Sequence, residues 1–263
     1  MICKVLMINL IMVKKYRSVI YSVLIGDYDS FEDIKYQGPH SDQILFTDQD
    51  IILQNWSVVK VDDFNANNKL ISRKYKILTH NFLSRYEKSL YIDANMNISN
   101  IDLAYCFDLL NNYKILFFRH PSRNCIYDEA IAVLTSRKDL LHSVKPQMSR
   151  YNRSEYPRKN GLIYGGFILR NHNIPLVMKI MEEWFNEVYL YSYRDQLSYN
   201  YVAWQNSEPT IYLDDLGLSY TDLDIRNHSS KSSVRKITKF LNRICSMYNN
   251  IIGLFHNYFN WRI

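Results

Sequence analysis

Four cysteines in 263 residues, Cys3, Cys106, Cys125 and Cys245, stand too far apart for any C-x-x-C pair. That spacing excludes a zinc ribbon and a disulfide framework and fits a reduced, cytosolic chain. Glycine (7) and proline (6) are scarce, so long flexible or Pro-rich linkers are not expected. Neither G-x-G-x-x-G nor G-x-x-x-x-G-K-[ST] occurs, which removes the main sequence signal for a dinucleotide oxidoreductase or a P-loop enzyme. H-E-x-x-H and a Ser-His-Asp order are also missing, so a peptidase has little support. The apolar start, Met1 to Val13, is too short to span a membrane and carries no small-residue cleavage site. Met7 and Met12 are alternative starts.

Acidic residues are lacking at one end. The net charge is +6, and from Lys231 to Ile263 there are six basic residues and no Asp or Glu; the other 26 basic residues balance the 26 acidic ones. The basic excess therefore belongs to the tail, which argues against a nucleic-acid footprint across the body. Val234, Ile237, Leu241, Ile244, Tyr248, Ile251, Phe255 and Tyr258 recur by threes and fours. That makes a basic amphipathic helix suited to an anionic membrane surface, or to docking on its own domain or a second copy. Residues 1–18 read as an N-terminal extension, 19–228 as the domain and 229–263 as this helix.

What is abundant is alternation. Buried strands are expected at "VIYSVLIGDYDS", "DQILFTDQD", "WSVVKVDD", "SLYIDANMNIS" and "YKILFFRH", then "GLIYGGFILRNH" and "PTIYLD". Helices are expected at "NKLISRKYKILTHNFL", "IDLAYCFDLLNN" (Asn100 as N-cap), "CIYDEAIAVLTSRKDLLH", "NIPLVMKIMEEWFNEVYL" and "YRDQLSYNYVAW". This order predicts an α/β fold with a mixed, mostly parallel sheet flanked by helices.

Acids gather at strand ends, where open α/β sheets bind ligands. Asp93 and Asn95 in "YIDAN" are oxygen ligands for Mg²⁺ or Mn²⁺, or a polar turn. Arg73 and Lys76, three apart on one helix face, would hold a diphosphate, or form a solvated basic face. "FRHPSRNCIYDEA" packs His120, Arg123 and Glu129 together; they would bind an anionic or hydroxyl-rich ligand, or Glu129 pairs with Arg123. Gly165-Gly166 inside a strand marks the close approach of a ligand or backbone, or a bulge. In Arg194-Asp195-Gln196 the carboxylate and amide suit a sugar, while Ser192-x-x-Asp195 also fits a capping box.

The ordered series "IYSVLIGDYD", "FTDQD", "SRKYKILTH", "SLYIDANMNI", "FRHPSRNCIYDEA", "GLIYGGFILRNHN", "EEWFNEV", "RDQLSYNY" resembles a glycosyltransferase-like family, formerly a domain of unknown function. That family occurs in plant cell-wall and mucilage proteins and in bacterial polysaccharide clusters. The resemblance covers Val19 to Ile225. It implies a GT-A fold and sugar transfer from a nucleotide sugar to a hydroxyl of a surface polysaccharide or glycolipid, at the cytoplasmic membrane face. A non-catalytic nucleotide- or glycan-binding protein is the alternative. By the same resemblance, Asp93, Asn95 and a late histidine, His228 rather than His256, would hold a divalent metal. Gly26, Asp27, Asp29, Asp48, Arg73 and Lys76 would face the nucleotide. His120, Arg123, Gly165, Gly166 and Arg194 would shape the sugar and acceptor pocket. Asp195 and Gln196, with Glu129, would be catalytic, and the Asp-Gln element resembles retaining transferases. Asn95 departs from the second acid common in GT-A enzymes, which puts metal dependence in question.

Overall fold

Seven apolar or small residues in a row, each buried, make β1 (Ser18–Leu24) an interior strand. The structure, a computed structural model, describes residues 18–26, 29–38, 41–62 and 67–226. The expected metal ligand His228, the nucleotide residue Asp27, His256, the amphipathic tail and the extension before Ser18 lie outside them. The other elements of the main sheet are β2 (Ser41–Thr47), β3 (Ser57–Lys60), β4 (Lys88–Ile92), β6 (Ile115–Arg119), β7 (Ile163–Arg170) and β8 (Ile211–Tyr212). They are ordered β3-β2-β1-β4-β7-β6-β8. β1 pairs in parallel with β2 and β4, as does β2 with β3; β7 is antiparallel to both β4 and β6, and β8 is parallel to β6. The expected mixed, mostly parallel, Rossmann-like sheet is what forms. Two short strands, β5 (Met96–Asn97) and β9 (Asp224–Ile225), make a second, antiparallel sheet.

Helices cover the faces: α1 (Asn68–Ile77), α2 (Thr79–Phe82), α3 (Leu103–Leu109), α4 (Ile126–Thr135), α5 (Leu141–Arg153), α6 (Pro175–Leu190) and α7 (Tyr199–Gln205). α6 follows its sequence pattern: Pro175 opens it, and Val177, Met181, Trp184 and Val188 are fully buried.

Several expectations needed correction. β3 is an exposed edge rather than a buried strand. The helix expected through "NKLISRKYKILTHNFL" breaks at Leu78 (φ −84°, ψ 48°) into α1 and α2. Asp102, not Asn100, caps α3, accepting from the Tyr105 amide at 3.0 Å. α5 was not foreseen, because Pro146 lies inside it. Its residue N–H is missing there, but its apolar face, Val144, Met148 and Tyr151, is buried and holds the helix.

The break at Leu78 sits over a buried polar cluster. Arg170 is fully buried, and no carboxylate stands within ion-pair distance of it among the described residues. It donates to the carbonyls of Lys76 (2.5 Å) and Ile77 (3.4 Å) and to the hydroxyls of Tyr21 and Thr79. The guanidinium thus sits at the negative end of α1. Nearby, His172 bonds Ser89 Oγ and the Leu83 carbonyl, 3.0 Å each. Burial pushes its pKa from 6.5 down to about 4. The folded state therefore binds fewer protons than the unfolded chain between those values, so stability rises with pH across that window and is lost as pH falls through it. The full change is about 3 kcal/mol at 1.36 kcal/mol per unit. Urea unfolding from pH 7 to pH 4 is expected to show this slope, and His172→Gln to flatten it.

Candidate active site

At the carboxyl ends of the parallel strands, β4 delivers Asp93 and the antiparallel β7 brings its glycines alongside. The Asp93 amide donates to the Gly166 carbonyl at 2.9 Å. The Asp93 carboxylate accepts from Tyr91 Oη at 2.7 Å. Burial first, then the Asp93 charge, holds the Tyr91 pKa well above its ordinary value, so the phenol stays a donor. Lys76, reaching in from α1, lies 3.8 Å from Asp93 and 2.6 Å from Asp195 Oδ2. Arg73, one turn earlier, is 3.4 Å from the same oxygen and donates to the Tyr193 carbonyl at 3.2 Å. The helical spacing of Arg73 and Lys76 thus aims both cations at one carboxylate.

Asp195 is 3% exposed. Burial alone would raise its pKa, but Arg73, Lys76 and Arg194 together overcome it and hold the carboxyl well below the usual range. It is a carboxylate at any physiological pH. The capping-box alternative is not what forms. Ser192 Oγ accepts from the Arg194 amide and donates to Asp139, while Asp195 begins a 3₁₀ turn, Asp195–Leu197. Trp184 Nε1 donates to the Asp195 carbonyl at 2.9 Å and fixes the turn from below.

Each glycine of β7 has its own reason. A Cβ on Gly165 would stand 3.3 Å from Lys76 Nζ and 3.4 Å from Asp195 Oδ2; one on Gly166 would lie 2.6 Å from Tyr164 Oη. The first makes room for the ion pair and the second for a tyrosine. A register shift in the β6–β7 pairing lies beside them, so the bulge alternative is also met.

The second group joins through Arg194 and Gln196. Gln196 Nε2 donates to the Ile163 carbonyl and accepts from Arg194 at Oε1, both at 3.4 Å. The neighbouring Leu162 carbonyl accepts from the His120 amide at 2.9 Å. His120 Nδ1 accepts from the amides of Ser122 and Arg123, 3.2 Å each. Burial lowers its pKa against the pull of Glu129, with Arg123 and Arg194 adding to the fall; the ring is neutral at pH 7. Glu129, 3% exposed, is paired with Arg123 Nε, as the simpler sequence reading had it.

A third group lies at the ends of β1 and β2. Both Asp48 oxygens accept from the Gly26 amide, 3.0 Å each, and Gln49 Nε2 donates to the Gly26 carbonyl. Gly26 has φ +70°, and a Cβ there would meet Asn68 at 2.7 Å. Asp48 thus shapes the Gly26 turn. Asp29 follows in the described loop, partly buried.

The described residues do not by themselves make a metal cage. No group of three His, Cys, Asp or Glu side chains among them is placed to hold an ion. Asn95 turns its amide nitrogen onto the Arg226 carbonyl at 2.8 Å, leaving Asp93 as the one carboxylate of the turn. Sequence reasoning missed Tyr91, Tyr164, Tyr193 and Tyr220, because 22 tyrosines give no signal for which ones reach a site. The exception is Tyr91, which stands two residues before Asp93 on the same strand face and could have been found from that spacing.

A family model described as "TOD1/MUCI70, glycosyltransferase-like domain" matches residues 11–214, well over half of the chain. No curated protein matches it.

Proposed function

The chain belongs to the TOD1/MUCI70 glycosyltransferase-like family, and from that premise we propose that it transfers a sugar from a nucleotide-sugar donor to a hydroxyl of a surface-polysaccharide or glycolipid acceptor. The observation that carries the reading is the pair of cations, Arg73 and Lys76, held on buried Asp195 next to Asp93. Glycosyl transfer develops negative charge on the leaving diphosphate. Fixed cations in a partly dry site stabilise that charge without reorganising when it forms. Arg73 offers a planar fork to phosphate oxygens and Lys76 a point charge.

Asp195 stays ionised and holds both cations on one carboxylate, so its part is to aim Lys76 and Arg73. Arg194 and Gln196 sit between that cluster and neutral His120, where a sugar's hydroxyls would find both donors and acceptors. Asp93, the more exposed carboxylate (37% for its side chain), faces the same space and would bind sugar hydroxyls or, together with donor phosphate oxygens, a divalent ion. The second reading, a nucleotide- or glycan-binding protein without catalysis, is favoured by one observation: the Asn95 amide is committed to Arg226.

Among the described residues no helix is long and apolar enough to cross a membrane. Contact with an anionic membrane at its inner face, through the basic pattern of 231–263, is part of the proposal.

The test is a thermal-shift screen against UDP-, GDP-, CMP- and dTDP-sugars, with and without Mn²⁺. One nucleotide class is expected to stabilise the protein, by about 2.7 kcal/mol at a hundred times its Kd. Asp93→Ala is expected to remove any Mn²⁺-dependent part. A shift without turnover of the donor favours the binding protein, and no shift with any nucleotide defeats the transferase reading and leaves a glycan-binding protein.

A further inference from the structure

We propose that Asn95 is a positioning residue: it latches the segment 216–226, which lies beyond the matched family domain, onto the Asp93 turn. The usual second acid of such a motif is an amide here, and the geometry gives that amide a task a carboxylate could not perform. Asn95 is 6% exposed. Its Nδ2 donates to the Arg226 carbonyl at 2.8 Å, and its own carbonyl accepts from the Arg226 amide at 2.9 Å. The two residues thus close a reciprocal ring of hydrogen bonds at the end of the β5–β9 ladder, where Met96 pairs with Ile225 and Asn97 with Asp224. The Arg226 side chain adds two more ties. Nη2 donates to the Ala94 carbonyl at 3.1 Å, and Nη1 pairs with Glu32 at 2.8 Å. Both residues that follow Asp93 in its turn, Ala94 and Asn95, are therefore gripped by one late residue.

An aspartate at position 95 would offer only acceptors, and its carboxylate would face the Arg226 carbonyl oxygen. The amide is needed because the latch requires a donor.

What the latch seats is Tyr220. Its ring meets Tyr164 edge to face at 4.8 Å. Tyr164 covers Gly166, whose carbonyl holds the Asp93 amide. Contacts thus run from Asp93 through Gly166 and Tyr164 to Tyr220, and the chain from Tyr220 to Arg226 leads back to Asn95. The late segment is one wall of the Asp93 turn. Its functional weight rests on the reading of that turn as part of the donor site; the latch itself does not.

The experiment is hydrogen–deuterium exchange on the full-length chain without any ligand, comparing wild type with Asn95→Asp and with Arg226→Pro. Asn95→Asp is isosteric and restores the common acid. Arg226→Pro breaks the latch from the other side, by removing the amide that donates to the Asn95 carbonyl, and leaves Asn95 intact. The latch predicts faster exchange, about tenfold or more, in both 93–97 and 216–226, and the same two segments responding in both variants. Exchange in 216–226 that stays at the wild-type rate in Asn95→Asp overturns the proposal. So does a 93–97 turn that ignores Arg226→Pro. Because no nucleotide or metal enters the measurement, its failure is separable from a failure of the transferase reading.

Discussion

Lys76→Met is expected to cost the protein about 3 kcal/mol of stability and to abolish nucleotide binding. Lys76 is 2% exposed and bonds Asp195 at 2.6 Å. Removing one partner of a buried pair strands the other charge, which typically costs about 3–5 kcal/mol. Arg73, at 3.4 Å from the same carboxylate, keeps the loss toward the lower end. The pH dependence identifies the cause. In wild type the folded Asp195 pKa lies below its ordinary value of 3.8, so its contribution is complete above that value and is lost as pH falls toward the folded pKa. In Lys76→Met the folded pKa rises, and less stability is gained as acid is removed. Urea unfolding from about pH 2 to pH 7 is therefore expected to show a gap between wild type and variant that widens with pH and then levels off. A gap of constant size would mean that Asp195 does not depend on Lys76 for its charge. Lys76→Arg is not expected to rescue, because Gly165 leaves space for a lysine tip (3.3 Å from a Cβ built there) and not for a guanidinium fork.

Much of this arrangement was legible in the sequence. Alternation of apolar strands and amphipathic helices gave the α/β class, since the periods of 2 and 3.6 are local properties. The i, i+3 spacing placed Arg73 and Lys76 on one face, and the strand "SLYID" placed Asp93 at a sheet end. What stayed hidden depends on contacts between distant residues. Nothing near Asp195 announces that its partners are on α1, and the nearby serine made a local cap look sufficient. Asn95 reads as a weakened ligand until Arg226 is seen opposite it. The helix break at Leu78 has no glycine or proline to mark it; it follows from Arg170 and Tyr21 taking the Lys76 carbonyl. β3 reads as interior because of its Val58-Val59 centre, but its far side has no neighbour among the described strands.

That hidden arginine carries the second large effect. Arg170→Met is expected to lower stability by about 3–5 kcal/mol, since the acceptors it serves remain buried without a donor and each lost bond of this kind costs about 1–3 kcal/mol. Replacing a buried ion by a hydrophobe is often harmless when every partner is replaced with it, and here two of the partners are backbone carbonyls that no side-chain change removes. Tyr21 Oη still reaches the Lys76 carbonyl, at 2.7 Å, but the Ile77 carbonyl loses the arginine donor. The last turn of α1, and Lys76 with it, is then expected to fray. Tyr21→Phe supplies the control: it removes one hydroxyl and leaves the guanidinium, so a loss of about 1 kcal/mol is expected with Lys76 kept in place. The measurement is urea unfolding together with amide exchange across 74–79. If Arg170→Met loses stability while exchange there stays at the wild-type rate, Arg170 supports the core alone. If both change together, one buried cation holds the helix end that carries the other cation into the site.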